Sequence, residues 1–595
     1  KKKKRKKVKK TALILFISIA LQCSKEETVE LHITTSSDEA LAHYKTAMTY
    51  WEVGDDIEKR ASLDSAIRID SDFALALEMN DVPDWLTRKS YQEKAQSLIN
   101  TVTDQERLIL LIREAYGNDN MNNALSYAKE LVNKNPESYE THNWLGIVQS
   151  DRNELVDAIQ TLKKATELNP DNYQAYNLLT GHHIAAGGQV MLPEEERNIE
   201  QGLKYANELI RIRPDAGYSY HFKANCYRQA GEFEKAISSY QMAVKYEPEN
   251  LAHYYYLSDL KEEILHSNLK NKIYEIIKRR NSTKKNIAYG NFLLSRYELK
   301  AKNYKKEFNY LLKGHHYYFE SRSKQFKTQV KYWLNVLPNI KELVNLNKSS
   351  KNIKKNNNKI NPIFIIGVPR CGSTLVEKVI ISGAKYIPVG EETEILNFFV
   401  KQKIQQKQLL KSDIENFQKK IIEKYKQKGL IQEISDYTFT DKSLDNFFYI
   451  SLIKEIFPYA KVINCKRDAL SCIMSILKNN LTGLAWTHNL EHIFRYLNIY
   501  YRMIENFKKI HPNFIYELQY EKFVKDPEIE SKKLLKFCNL PWDKKCLKFF
   551  KRKDLISQTA SNIQIRKAIY KDSIKKYLPY KQFLNKYGYK YSWFN

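Results

Sequence analysis

A 34-residue period restricts the first half of this 595-residue chain more than any other feature. Asn135-Pro136 and Asn169-Pro170 stand 34 residues apart, and so do Arg213-Pro214 and Glu247-Pro248. Between these punctuation points the small and apolar positions keep register. Ala124, Ala158, Gly202 and Ala236 align, as do Leu131, Ala165, Leu209 and Ala243. A period of this length is one helix–turn–helix unit, which cannot bury its apolar face alone and must stack on its neighbours. The step from Pro170 to Pro214 is 44 residues, and its ten extra residues fit a loop around Gly187 to Pro193. Ala40 to Asp70 reads as an earlier, degenerate repeat and Tyr304 to Tyr318 as a late one.

The repeats are followed by a Lys- and Asn-rich stretch, 345–361, that cannot bury a core and reads as a linker. Beyond it, apolar strands at Ile363–Ile366, Tyr437–Thr440, Ala460–Cys465 and Asn513–Leu518 alternate with helices. The helices are expected at Thr374–Ile381, Glu394–Lys407, Ser443–Ile456, Ala469–Leu477 and Leu490–Ile510. Such alternation predicts a parallel α/β sheet. The first strand runs into Gly367-Val-Pro-Arg-Cys-Gly-Ser-Thr374, a tight loop that opens a helix. Strand, loop and helix N-terminus together aim N–H groups and a helix dipole at one anion. The spacing nearly matches the ATP-binding P-loop, but Ser373 occupies the lysine position and the loop's cation is Arg370, which disfavours an ordinary ATPase or kinase. Lys442 and Arg467 also follow strands. In an α/β sheet the carboxyl ends share one edge, so Arg370, Lys442 and Arg467 are expected to meet in one basic pocket.

The formal charge of +28 favours acidic partners, although much of it is a Lys/Asn-rich compositional bias spread over the second half. Seven scattered cysteines include no C-x-x-C pair, so neither a zinc site nor a disulfide framework is indicated, and reduced thiols are expected. Nine of the first ten residues are Lys or Arg, and an apolar run, Thr11 to Leu21, precedes Gln22-Cys23. Residues 1–23 therefore read as a signal, a lipoprotein-like leader or a short membrane anchor. His488 and His492, four apart on what reads as one helix, are a weak metal pair without an evident third ligand. His182-His183 and His315-His316 read as structural.

The repeats resemble tetratricopeptide repeats: Trp144-Leu145-Gly146, Ala158 with Ala165, and Gly231, Ala236, Tyr240 and Ala243 match parts of that pattern. The second half resembles the sulfotransferases that use 3′-phosphoadenosine 5′-phosphosulfate (PAPS), in particular the bacterial tetratricopeptide-repeat sulfotransferases and the tyrosylprotein sulfotransferases. Val368-Pro-Arg-Cys-Gly-Ser-Thr374 matches the family's V-P-R-S-G-T-T loop, with Cys371 in place of its Ser. Arg467 and Ser475 match its 3′-phosphate pair. Gly390-Glu-Glu-Thr393 matches the G-E-E-T of the tyrosylprotein branch, and Asp441-Lys442 a D-K segment. Tyr520-Glu521, Asp526-Pro527 and Leu540-Pro541-Trp542 match later landmarks, and Ser561 to Lys567 resembles the segment that closes over the cofactor.

The resemblance implies a tetratricopeptide solenoid at 36–344 followed by a P-loop-like α/β sulfotransferase domain with a central parallel sheet at 362–595. It implies PAPS as co-substrate, held by Arg370, Cys371, Gly372, Ser373, Thr374, Leu375, Arg467, Ser475, Arg566 and Lys567, and no metal. Arg370, Lys442 and Ser561 would stabilise the departing phosphate. Glu392 would be the base toward an acceptor hydroxyl, a tyrosine-containing peptide being one candidate. The spacing from Arg370 is one residue longer than in the tyrosylprotein enzymes, which keeps Glu391 open as the alternative base. A thiol at Cys371, beside Arg370 at a helix start, is expected to be acidic. The repeats would hold a protein partner, and no nucleic acid is implied. PAPS supply places the enzyme domain in the cytoplasm or on the cytosolic side of a membrane, against the export that the N-terminus suggests. The competing reading is a repeat scaffold whose C-terminal domain binds nucleotide without turnover.

Overall fold

The computed structural model describes residues 31–594 apart from 54–55, 119, 153, 185–198, 342, 344–359, 409–413, 553, 555–556, 558, 560 and 570–574. The leader at 1–23, the loop at 187–193 and residues 345–359 of the expected linker lie outside the described residues. The chain divides into two compact units, one of residues up to Thr180 with Arg211–Pro214, the other of Gly181–Ile210 with Asp215–Asn595.

Among its described residues, every regular element of the first unit is a helix. Asp38–Val53 with Asp56–Ile69, Asp104–Gly117 with Met121–Lys134, and Tyr139–Asp151 with Leu155–Leu168 form successive helix pairs. The aligned small residues are the reason they pack. Ala124, Ala158 and Ala165 are fully buried, and a Cβ on Gly146 would stand 2.6 Å from the Leu162 side chain. Small side chains at these crossings let helices approach closely. Thr103 and Glu106 form a reciprocal capping box, and the same Glu106 carboxylate accepts from Thr34, tying the first described residues to the pair Asp104–Gly117 with Met121–Lys134.

The second unit continues the helix pairs with Gly217–Ala230 and Phe233–Tyr246, then Leu251–Leu260 and Ser267–Lys278, then Lys284–Lys300 and Tyr304–Glu320. Its remaining part is built on four parallel strands: β1 (Asn361–Gly367), β2 (Thr438–Asp441), β3 (Lys461–Lys466) and β4 (Ile515–Gln519), in the order β2-β1-β3-β4. Ile363 to Ile366 are buried on both faces, which is why the strand reads as an unbroken apolar run rather than an alternating one. Residues 388–392 add a short parallel edge beside β2, where Thr440 N–H donates to Pro388 O at 3.0 Å, Lys442 N–H to Gly390 O at 2.8 Å and Glu392 N–H to Lys442 O at 3.2 Å.

Two expectations change. The single helix expected over Ser443–Ile456 is a 3₁₀ segment, Leu444–Tyr449, followed by a short α-helix, Ile450–Ile456. The Asp441 carboxylate accepts from the Ser443 N–H and hydroxyl and from Asn446 Nδ2, winding the chain tightly there. Phe447, Phe448 and Tyr449 are buried in succession. His488 and His492 do not share a helix. His488 ends a 3₁₀ turn and its Nδ1 lies 3.1 Å from Nδ1 of His315, sandwiched between Tyr318 and Phe326. Among the described residues, no helix is long and apolar enough to cross a membrane.

Gly390 positions the edge segment that carries Glu391 and Glu392. A Cβ there would meet the Thr440 carbonyl oxygen at 2.3 Å. That neighbour is backbone in a sheet and cannot swing away. Gly390→Ala is expected to lower stability by about 1–3 kcal/mol, read as a reduced denaturant midpoint. An unchanged midpoint would mean that the edge segment is not seated as described.

Candidate active site

The carboxyl ends of β1, β2 and β3 carry Arg370, Lys442 and Arg467. The chain passes from β1 to β2 on one side and then to β3 on the other, so the strand order reverses at β1. Reversal splays the connections apart and leaves a crevice at that edge.

The loop after β1 is shaped by three residues with positive φ: Gly367 at 155°, Arg370 at 72° and Gly372 at 98°. Gly372 must lack a Cβ for a second reason, because one would stand 2.4 Å from the Tyr520 ring. The helix Ser373–Ile381 follows directly, and its N-cap residue, Gly372, has no side chain to cap it. Uncapped first-turn N–H groups with the helix dipole behind them favour an anion. Ser373 and Thr374 are buried, and Leu375 is half-buried. The Cys371 amide closes a turn onto Val368 O at 3.1 Å. Its fully buried side chain turns under the loop, where a hydrogen bond with Cys465 is the main cause of its lowered pKa. The acidic thiol was expected beside Arg370; the neighbour that acts most strongly on it is this second thiol.

Arg370 is held on three sides. Its Nε donates to Ser475 Oγ at 3.0 Å, Nη1 to Ser561 Oγ at 2.8 Å and Nη2 to Gln564 Oε1 at 3.1 Å. Arg467 Nη1 donates to the Arg370 carbonyl at 2.8 Å, and its guanidinium covers the Tyr520 ring at 4.6 Å. The two guanidinium groups are thus brought to one loop. Ser475 lies on the helix Ala469–Leu477, whose N-cap Asp468 accepts from Ser471 N–H.

A second cluster lies along the edge segment. Lys442 Nζ donates to Glu391 Oε1 at 3.1 Å, and Ser557 Oγ donates to the same oxygen at 3.0 Å. Lys378 Nζ bonds Glu377 at 3.0 Å and stands 3.8 Å from Glu391. All of these side chains are buried. Burial pulls the Lys442 ammonium down, but Glu391, Glu377 and Glu392 more than offset it and hold the pKa above the ordinary lysine range. Glu392 is half-buried with φ of 54°. Burial raises its pKa first, Lys442 opposes that, and Glu391 and Glu377 raise it again, leaving it above the ordinary value of 4.5. A polar chain joins the two clusters: Thr374 Oγ1 to Thr559 Oγ1 at 3.3 Å, Thr559 to Ser557 at 3.1 Å, then Glu391.

The structure therefore groups Arg370, Arg467, Ser475 and Ser561, and separately Lys442, Glu391 and Glu392. Arg566 and Lys567 take other positions: Arg566 donates to Ala230 O at 3.3 Å, and Lys567 is exposed. Sequence reasoning did not single out Glu377, Lys378, Ser557, Thr559, Gln564 or Tyr520 as site residues. Glu377-Lys378 carried a signal as two charges inside the apolar run Leu375 to Ile381, and Tyr520 and Gln564 lie in segments that the family resemblance marks. Among the described residues, no three His, Cys, Asp or Glu side chains group as metal ligands.

Residues 362–544 match the sulfotransferase family model, and residues 109–173 and 217–250 match tetratricopeptide repeat models. Over 238 residues the chain is 32% identical to an uncharacterized protein of Aquifex aeolicus (strain VF5), covering 38% of this chain and 31% of that protein. The chain thus spans about a third of the length of that relative. Similar solved structures include the sulfotransferase domain of the Synechococcus PCC 7002 olefin synthase (20% identity, 38% of this chain, 91% of that one, TM-score 0.27). Another is the sulfotransferase domain of the curacin biosynthetic pathway (20% identity, 36% and 89%, TM-score 0.27). MamA is a third (20% identity, 32% of this chain and 97% of that one, TM-score 0.24).

Lys442 and Glu391 need each other, because an unpaired buried charge is expensive. Lys442→Met is expected to cost about 3–5 kcal/mol of stability, and adding Glu391→Leu to restore part of it. Equal stability of Lys442→Met and the parent would sink the assignment of a buried pair.

Proposed function

We propose that this chain, which joins tetratricopeptide repeats to a sulfotransferase-family domain, moves a sulfuryl group from PAPS to an acceptor hydroxyl. The observation that carries the reading is the meeting of Arg370, Arg467, Ser475 and Ser561 at the end of β1, beside an uncapped helix start. That donor set suits a doubly anionic nucleotide. The loop holds no lysine for a terminal triphosphate, while Arg467 and Ser475 offer a second anion position. When bound, PAPS supplies the activated sulfuryl group.

The protein's part is positioning and charge. Arg370 and the first-turn N–H groups of 373–375 would hold the 5′ side, and Arg467 and Ser475 the 3′-phosphate. Arg370, Lys442 and Ser561 would stabilise the negative charge that grows on the leaving phosphate, a fixed-dipole effect that is strongest where water is excluded. Cys371 and Gly372 would shape the loop backbone. Glu392 would accept the proton of the acceptor hydroxyl. A phenol, with a pKa of about 10, needs such a base. The Glu391 carboxylate is engaged by Lys442 and Ser557, which favours Glu392 for that task. A tyrosine-containing peptide presented by the repeats is the acceptor we favour, since tetratricopeptide solenoids present extended binding surfaces.

Calorimetric titration of the full chain tests the cofactor. Adenosine 3′,5′-bisphosphate should bind more tightly than 5′-AMP or Mg-ATP, and Arg467→Ala should erase the preference over 5′-AMP. A preference for Mg-ATP would overturn the reading. Glu392→Gln is expected to lower kcat for transfer from ³⁵S-PAPS by about 10²–10⁴ while bisphosphate affinity is retained. A base works only when ionised, so kcat/KM should fall as pH drops through the raised Glu392 pKa, on a limb above 4.5 that Glu392→Gln removes. A pH-independent rate across that range would exclude Glu392 as the base.

A further inference from the structure

Segment 561–567 is gripped from two sides. Its 3₁₀ turn, Gln564–Arg566, is closed by Lys567 N–H donating to Gln564 O at 3.2 Å, and the turn before it by Gln564 N–H and Ile565 N–H donating to Ser561 O at 2.9 and 3.1 Å. One side of this segment carries Ser561 and Gln564, which accept from Arg370. The other carries Asn562 and Arg566, which reach the helix pair Gly217–Ala230 and Phe233–Tyr246. Asn562 Nδ2 donates to Gln229 O at 3.4 Å and Arg566 Nη2 to Ala230 O at 3.3 Å. Ile565, between the two, is buried in the core.

The repeat turn is shaped to receive the arginine. Gly231 ends its helix with φ of 81°, the left-handed conformation that favours glycine. Its missing Cβ also matters, because one would lie 2.8 Å from the Arg566 guanidinium carbon. Arg566 Nη1 is held as well, by Arg552 O at 3.5 Å. Gly231 and Arg566 thus share a close contact that a side chain at 231 would disturb. The turn, the segment and the loop arginine form an unbroken chain: Gly231 and Ala230, Arg566, Ser561 and Gln564, Arg370.

We propose that the repeat turn Gln229–Gly231 is a positioning element of the transfer site, seating segment 561–567 through Arg566 and Asn562 so that Ser561 and Gln564 hold Arg370 in place. Arg566 is then a positioning residue rather than a 3′-phosphate ligand, and this repeat is a working part of the site. The inference rests on the sulfotransferase reading of the loop. It goes beyond that reading by assigning the turn a role in nucleotide affinity.

The two roles of Arg566 predict different ligand dependence. A direct 3′-phosphate ligand would matter for adenosine 3′,5′-bisphosphate and not for 5′-AMP. An anchor acting through Arg370, on the 5′ side, should weaken both. In the full chain, Arg566→Ala is expected to lower affinity for both nucleotides by about tenfold, a size reached by coupling through packed contacts, with 5′-AMP measured by competition. Gly231→Ala, which touches no ligand, should do the same, and the double variant should be no worse than either single one. Hydrogen exchange over 561–567 should rise in both variants; Arg566→Ala should leave the thermal midpoint of the chain unchanged, whereas Gly231→Ala should lower it modestly through its left-handed backbone. Loss of bisphosphate affinity alone in Arg566→Ala overturns the inference, as does unchanged affinity in Gly231→Ala with the parent still binding. A parent chain that binds neither nucleotide overturns the sulfotransferase reading itself, and the inference with it.

Discussion

The buried pairing of Lys442 with Glu391 fixes the geometry around which the site is arranged. Each charge alone in that interior would cost several kcal/mol. Together, with Ser557 completing the Glu391 oxygen and Lys378–Glu377 beside them, they lock the edge segment 388–392 to the end of β2. Charged groups at this depth select one register, because any slip separates the partners and leaves each uncompensated. Glu392, the next residue, is thereby held at the edge in a left-handed conformation, with its carboxyl kept basic by burial.

The second arrangement grows from the same sheet. Strands β1 and β3 pair in register from Ile363 with Lys461 to Gly367 with Cys465. This places the loop at 367–372 directly beside the start of the segment that carries Arg467. Arg370 can then be shared among a helix side chain, Ser475, a late segment, Ser561 and Gln564, and a carbonyl contact to Arg467. None of these partners is near Arg370 in sequence. The side-chain oxygens of Ser475, Ser561 and Gln564 on its fork are neutral, and a guanidinium is a planar donor suited to meeting an anion.

Much of this was legible in the chain. The four strands lie within two residues of where apolar runs placed them, and the helices Ala469–Leu477 and Leu490–Ile510 match their expected bounds. Strands buried on both faces announce themselves as unbroken Ile, Phe and Val runs, and the 34-residue period exposes stacked helix pairs. The helix Ile414–Gln427 was less visible. Only Phe417, Ile421 and Tyr425 form its buried stripe, within a Lys- and Gln-rich surface. The tight winding after Asp441 was hidden too, because it depends on that carboxylate collecting donors from Ser443 and Asn446.

The sequence by itself determined the helical repeats, the parallel sheet, the strand–loop–helix that carries Arg370 and the meeting of Arg370 with Arg467, because periodicity, strand burial and loop spacing are local properties; Lys442, expected in the same pocket, pairs instead with Glu391 in a separate cluster. The tertiary structure alone decided which carboxylate Lys442 pairs with and that Cys371 answers to Cys465. It also decided that Arg566 turns to the carbonyl of Ala230, 336 residues away. Those outcomes depend on distances between segments remote in the chain, and on the cost of leaving a buried charge or donor unmatched, neither of which a local pattern encodes.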